Sequence, residues 1–178
     1  MPHRYPQEVA LGDGRRVLLR PFTANDTQAL WDFFHRLPEP TRRFAWERLD
    51  DRAVVESWGR NIDYGKVFPL LAFDGGTIVA DASLHRRDGG PLRLVGRIKW
   101  MVDPEWRDAG LSGALVNQFI SIARGEGLRH LSTILISDLE ADAIRTLADA
   151  GFRPTVLPGY GADPDGGVHD MTFLVLKL

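Results

Sequence analysis

Residues 102–113 constrain this chain more than any other stretch. They read Val102-Asp103-Pro104-Glu105-Trp106-Arg107-Asp108-Ala109-Gly110-Leu111-Ser112-Gly113. An extended apolar segment leads in and Pro104 stops it. A helical pattern follows, with Leu115, Phe119, Ile122 and Ala123 on one stripe. A strand, a short turn of small residues and a helix in direct succession leave several backbone N–H groups pointing outward. They do so at the positive end of the helix dipole. Such a turn is a ready site for a phosphate or pyrophosphate, and its small residues let the ligand approach the backbone. The run therefore predicts a phosphorylated ligand.

The surrounding pattern alternates between periods of two and of 3.6 residues. Apolar residues alternate over 9–11 and 17–19 about Gly12-Asp13-Gly14, which predicts a hairpin. Thr23 to Asp26 has the form of a capping box, and Leu30, Phe33, Phe34 and Leu37 follow at helical spacing. Pro38 and Pro40 end that helix, and residues 42–46 suggest a short helical turn. Asp50-Asp51 opens a helix with Val54, Val55, Trp58 and Ile62 on one face. A second hairpin spans 67–73 and 77–84 about Asp74-Gly75-Gly76. After a turn at 86–91, residues 92–102 read as a long strand.

Beyond the glycine turn, Gly125 and Gly127 end the helix. Residues 131–136 form a nearly all-apolar strand, as expected when both faces are covered. Ser137-x-x-Glu140 reads as a capping box for a helix whose core stripe is Leu139, Ala143, Ile144, Leu147 and Ala148. Gly151 followed by Phe152 looks like a left-handed cap with its apolar follower. A strand near 155–157, a loop over 158–169 and a final strand over 171–176 complete the chain.

The 178 residues fit a single domain across positions 1–178, with 44% hydrophobic and 26% charged residues. A net charge of −2 gives no support for a nucleic-acid or anionic-membrane partner. The short basic pairs Arg15-Arg16, Arg42-Arg43 and Arg86-Arg87 read as solvated edges. The absence of cysteine removes disulfides, thiolate nucleophiles and cysteine-based metal sites, and no metal site is expected. The start of the chain has no signal-like apolar run, and no segment approaches a membrane span, so the expected location is cytoplasmic.

The order of elements predicts an α+β fold, a mixed sheet with helices on its faces. That order and the glycine turn together resemble the GNAT superfamily of acyl-CoA-dependent N-acyltransferases. The family signature, Gln/Arg-x-x-Gly-x-Gly/Ala at the start of a helix after a strand, is matched by Arg107 to Ser112. Ser112 departs from the usual Gly or Ala but stays small, and Gly113 follows. Ala143 and the later Ala150-Gly151-Phe152 match the family's helix before a Gly-Phe pair. In the N-terminal half, Asp13-Gly14-Arg15, Leu19-Arg20-Pro21-Phe22, Asp26 and Arg43-Phe44 resemble the start of bacterial protein-lysine acetyltransferase domains. The resemblance implies a mainly antiparallel central sheet with helices on both faces. It implies acetyl-CoA as co-substrate, with a small amine or a protein lysine as acceptor, in a monomer or homodimer. The pantetheine arm would be hydrogen-bonded by the backbone of Met101, Val102 and Asp103, as by an added strand. The pyrophosphate would lie on the N–H groups of Arg107, Asp108, Ala109, Gly110, Leu111, Ser112 and Gly113.

The resemblance breaks at the catalytic positions. Amine attack on a thioester needs a base, and an acid assists the departing thiolate. The glutamate base of the lysine acetyltransferase-like members stands nine residues before the aromatic, which is Arg97 here. A permanently charged guanidinium is no base. The tyrosine acid of many members stands four residues before the Gly-Phe pair, which is Leu147 here, and the Asn often at that helix start is Glu140. Three readings stay open: catalysis by other residues or by positioning, an amine that binds already neutral, or a non-catalytic acyl-CoA sensor or interaction module. The replacement candidates are Asp81, Arg97 and Asp103. The plainer reading of Asp81 is an ion pair with Arg97, and that of Asp103 is a turn cap. His85, near the end of its strand, reads as exposed; Tyr160 and His169 flank a glycine-rich loop that could cover the acceptor site, and their plainer reading is loop decoration. Trp31, Trp46 and Trp58 read as core, while Trp100 and Trp106 flank the cofactor segment.

Overall fold

The computed structural model describes residues 5–178. Its strands are β1 (Gln7–Ala10), β2 (Arg16–Pro21), β3 (Val67–Asp74), β4 (Thr77–His85), β5 (Val95–Val102), β6 (His130–Ile136), β7 (Arg153–Ala162) and β8 (Val168–Lys177). Its helices are α1 (Thr27–Arg36), α2 (Glu39–Arg43), α3 (Arg52–Arg60), α4 (Leu111–Gly125) and α5 (Ala141–Asp149). The strands follow the order β1-β2-β3-β4-β5-β6-β8-β7. The sheet is mostly antiparallel, as the α+β reading expects, with β5 and β6 a parallel pair.

Two compact units divide the chain. The first takes the chain up to Ser83 and adds Trp100–Leu111. Its core gathers Phe22, Leu30, Phe33, Phe34, Val55 and Leu71, the apolar stripes of α1 and α3 against β2 and β3. The entry to α1 is pinned by Asp26, which is buried. Its carboxylate accepts two bonds from Arg20 at 2.7 Å and two from Thr23, N–H and hydroxyl, at 2.8 Å. Burial pushes the Asp26 pKa up. The Arg20 and Thr23 hydrogen bonds outweigh it and hold the carboxyl below its ordinary value. Asp51 caps α3 by accepting from the Ala53 N–H, as read from the sequence.

The second unit comprises Leu84–Lys99 and Ser112–Leu178. Helices α4 and α5 both close with the same backbone device. In α4, Gly127 takes φ +73°, its N–H donates to the Arg124 carbonyl, and Leu128 N–H donates to that of Ala123. In α5, Gly151 takes φ +93°, with Gly151 N–H to Ala148 and Phe152 N–H to Leu147. These are paired Schellman bonds, and the buried Phe152 and Leu147 supply the apolar contact that accompanies them.

Several boundaries differ from the sequence reading. The expected turn at 42–46 is α2, shifted earlier because Pro38 and Pro40 suit a helix start as well as a helix end. Strand β5 begins at Val95, since 90–94 are held in a turn by Arg93 N–H to Gly90 and Val95 N–H to Leu92. The loop expected over 158–169 is mostly a hairpin. Strands β7 and β8 pair as far as Ala162↔Val168, with an irregularity between Leu157 and Gly161. Only the tip turns, where the Asp163 carboxylate accepts from Asp165 and Gly167 N–H groups. The Ser137 capping box does not form. The Ser137 hydroxyl bonds that of Thr172 at 2.8 Å, and α5 starts after Glu140, whose carboxylate accepts from Ile136 N–H at 2.6 Å. Of the expected α5 stripe only Leu147 is buried, while Leu139 and Ala148 are exposed. Trp46, expected in the core, is 53% exposed. Arg86 is no solvated edge. It is largely buried and ion-paired with Glu126. No helix among the described residues is long and apolar enough to cross a membrane.

Candidate cofactor-binding and acyl-transfer site

Strand β5 ends in a compact corner. Asp103 caps a single helical turn at Pro104–Trp106, its carboxylate accepting from Glu105 N–H at 3.1 Å. Trp106 N–H returns to the Asp103 carbonyl at 2.8 Å, and the indole is buried. The chain then passes through Gly110 at φ +83° before α4 begins at Leu111. Gly110 is required by that dihedral and not by crowding, because a Cβ there would meet nothing within 4 Å. No backbone acceptor among the described residues takes the N–H groups of Asp108, Ala109 or Gly110. Leu111, Ser112 and Gly113 then form the first turn of a 15-residue helix, where N–H groups lack intrahelical partners by geometry. A Cβ on Gly113 would find only ordinary contact with Thr146 at 3.8 Å. The turn thus offers donors, a helix dipole and small side chains, the set that suits a pyrophosphate.

The strand ahead of the turn carries a second feature. Strands β5 and β6 pair at Val95↔His130, Gly96↔Leu131 and Arg97↔Ser132, and the register ends there. β5 runs on to Val102, while β6 runs on to Ile136 paired with β8. The last part of β5 therefore keeps backbone groups on one edge that β6 does not match, which suits an extended amide-bearing ligand. At the last rung the Ser132 hydroxyl donates to the Gly96 carbonyl at 3.4 Å. Met101 is half-buried and Val102 buried. Asp103 differs from them, because its N–H donates to the Val79 carbonyl at 2.9 Å.

The candidate catalytic residues fall in distinct settings. Arg97 stands at the last paired rung of β5, on the partly exposed face that alternates with buried Gly96 and Ile98. Asp81 is half-buried on β4. The Asp103 carboxylate is 15% exposed and lies 3.5 Å from Arg36 Nε, so it is committed to a cap and an ion pair. Leu147 is 0% exposed and sealed in the α5 cap, which leaves the family's acid position without a polar group. No cluster of three metal-binding side chains occurs among the described residues.

Sequence reasoning missed the residues that brace the turn. The Arg107 guanidinium donates to the Thr41 hydroxyl at 3.1 Å. Arg36 fixes Asp103 while donating to the Ile78 carbonyl at 2.6 Å. These contacts join positions far apart in the chain, and no local pattern signals them. The Gly12–Arg15 turn of the first hairpin was legible as a turn, though not as a neighbour of residues 105–109.

Comparison with known proteins gives the class. The acetyltransferase (GNAT) family model matches residues 31–152, and the chain belongs to that family. A mycothiol acetyltransferase from Nocardiopsis dassonvillei is 32% identical over 149 residues, covering 77% of this chain and 42% of that protein. The chain thus spans about two fifths of the length of this curated relative. Three solved structures share the fold. The GNAT domain of S. lividans PAT matches at TM-score 0.79 and 20% identity, over 100% of this chain and 99% of that one. A ribosomal-protein-alanine N-acetyltransferase from Brucella melitensis matches at TM-score 0.77 and 24% identity, over 90% and 99%. YncA from Salmonella typhimurium, solved with its cofactor acetyl-CoA, matches at TM-score 0.76 and 22% identity, over 91% and 94%.

Proposed function

We propose that this chain transfers the acetyl group of acetyl-CoA to a primary amine, carried by a protein lysine or by a small molecule. The observation that carries the reading is the early end of β5–β6 pairing ahead of a turn in which the N–H groups of Asp108, Ala109 and Gly110 have no backbone acceptor among the described residues. In this reading the backbone of Met101 and Val102 holds the pantetheine amides. Asp103 contributes mainly by shaping the corner, since its N–H is already used. The N–H groups of residues 108–113 hold the pyrophosphate; the Arg107 N–H, expected among them, is instead taken by the Pro104 carbonyl at 3.3 Å, and Arg107 adds positive charge through its side chain. Bound acetyl-CoA supplies the activated thioester. The lone pair of a neutral amine attacks the thioester carbonyl carbon, a C–N bond forms and the C–S bond breaks, the amine gives one proton to water, and CoA leaves as a thiolate that takes a proton from water. Positioning supplies most of the acceleration, because Arg97 and Leu147 occupy the positions of base and acid. Arg97 binds an acidic group on the acceptor and does not deprotonate the amine.

A second reading is a non-catalytic acyl-CoA-binding module, favoured by the buried Leu147 and the charged Arg97. Incubation with acetyl-CoA and a panel of small amines and lysine peptides separates the two. Release of CoA thiol with an acetylated product by mass spectrometry supports transfer. Tight CoA binding without turnover on any acceptor supports the module.

A further inference from the structure

We propose that the β1–β2 hairpin is a positioning element for the pyrophosphate turn, with Arg15 at its centre; the inference rests on the reading of that turn given above. The Gly12 N–H donates to the Ala109 carbonyl at 3.2 Å. Arg15 Nη1 donates to the Glu105 carbonyl at 3.1 Å, and the guanidinium lies 4.2 Å from the centroid of the Trp106 ring. The hairpin thus grips the corner at two carbonyls and one aromatic face, all within residues 105–109.

The hairpin is rigid enough for this task. Leu11 N–H donates to the Arg15 carbonyl at 2.8 Å, Gly14 N–H donates to that of Leu11, and Gly14 takes φ +87°. Asp13 accepts from Arg15 Nε at 2.6 Å and from its backbone N–H at 3.0 Å. Those two bonds orient the guanidinium and hold the Asp13 carboxyl below its ordinary pKa. They also pair the Arg15 charge, so its contribution is geometric and is not a direct charge on the ligand.

The consequence for the ligand follows from peptide geometry. A trans peptide is planar, and its C=O and N–H point in opposite directions. Fixing the Ala109 carbonyl toward Gly12 therefore turns the Gly110 N–H away from the hairpin. Among the described residues that donor has no backbone acceptor. Without the clamp the 109–110 peptide plane is free to rotate at a glycine that tolerates many conformations.

The test uses the whole chain with Arg15→Ala and Arg15→Lys. Wild type and variants are titrated with CoA and with pantetheine, which lacks the pyrophosphate, and followed by NMR. Arg15→Ala is expected to weaken CoA about tenfold and leave pantetheine unchanged. Arg15→Lys is expected to resemble Ala, because an ammonium cannot hold the fork or stack in the same way. The Gly110 amide resonance should shift in both free variants while α5 resonances stay in place. Equal loss for CoA and pantetheine, no loss for either, or full rescue by Lys overturns the proposal. Failure of wild type to bind CoA at all is a different result, and overturns the reading of the turn itself.

Discussion

At the scale of single residues, the chemistry divides between backbone and one cation. Ser112 stands where the family carries Gly or Ala, in the first turn of α4. Its hydroxyl is one potential donor among several N–H groups. Ser112→Ala should change CoA affinity by no more than about 1–1.5 kcal/mol, the usual net worth of one hydrogen bond. Calorimetry checks this, and a larger loss in a folded variant would give the hydroxyl a dominant role. Arg97 sits at the rung where β5 leaves β6. Arg97→Ala should raise the acceptor KM while CoA affinity stays within about twofold. A variant that loses CoA and keeps its acceptor would assign Arg97 to the wrong ligand.

At the scale of elements, the joint between β2 and α1 depends on Asp26. Its folded pKa lies below the ordinary carboxylate value, set by Arg20 and Thr23 against burial. A depressed carboxyl pKa contributes stability that is complete above the unfolded value and is lost as pH falls through the folded one. Asp26→Asn should therefore cost roughly 2–3 kcal/mol at neutral pH, below the full cost of a buried pair because Arg20 is partly exposed. The gap between variant and wild type in urea unfolding should narrow below about pH 4. At the other end, Leu147→Ala should cost about 3 kcal/mol, since it empties the contact that closes α5.

Both hairpins before β5, both left-handed glycine caps and the strand–turn–helix corner were legible because each has a local signal. Gly127 and Gly151 need positive φ, and the corner needs Pro104 and Gly110. Ser137-x-x-Glu140 misled because two other bonds claim its side chains: Thr172 takes the hydroxyl and Ile136 the carboxylate. The β7–β8 hairpin was hidden by Pro158, Gly159 and Gly161, which read as loop yet sit at an irregular edge strand. Trp46 shows that a large aromatic does not specify burial.

At the scale of the whole molecule, the order of elements and the Arg107-x-x-Gly110 turn identified the family, and the family model over residues 31–152 agrees. The catalytic side chains were not legible in the same way. The base and acid positions hold Arg97 and Leu147, so the sequence lacked the pattern that would name a proton path. The arginines that brace the turn were not legible either, because their partners lie 66 and 90 positions away in the chain. The central claim is that backbone donors at the α4 start hold the pyrophosphate of acyl-CoA. Gly110→Val tests it most directly. Its φ of +83° strains a β-branched residue by about 1–2 kcal/mol or more, and the side chain obstructs the ligand's approach. Isothermal titration with CoA should give saturable one-to-one binding for wild type and at least about tenfold weaker binding for the folded variant. Undetectable CoA binding by folded wild type, or equal affinity in Gly110→Val, would contradict the account.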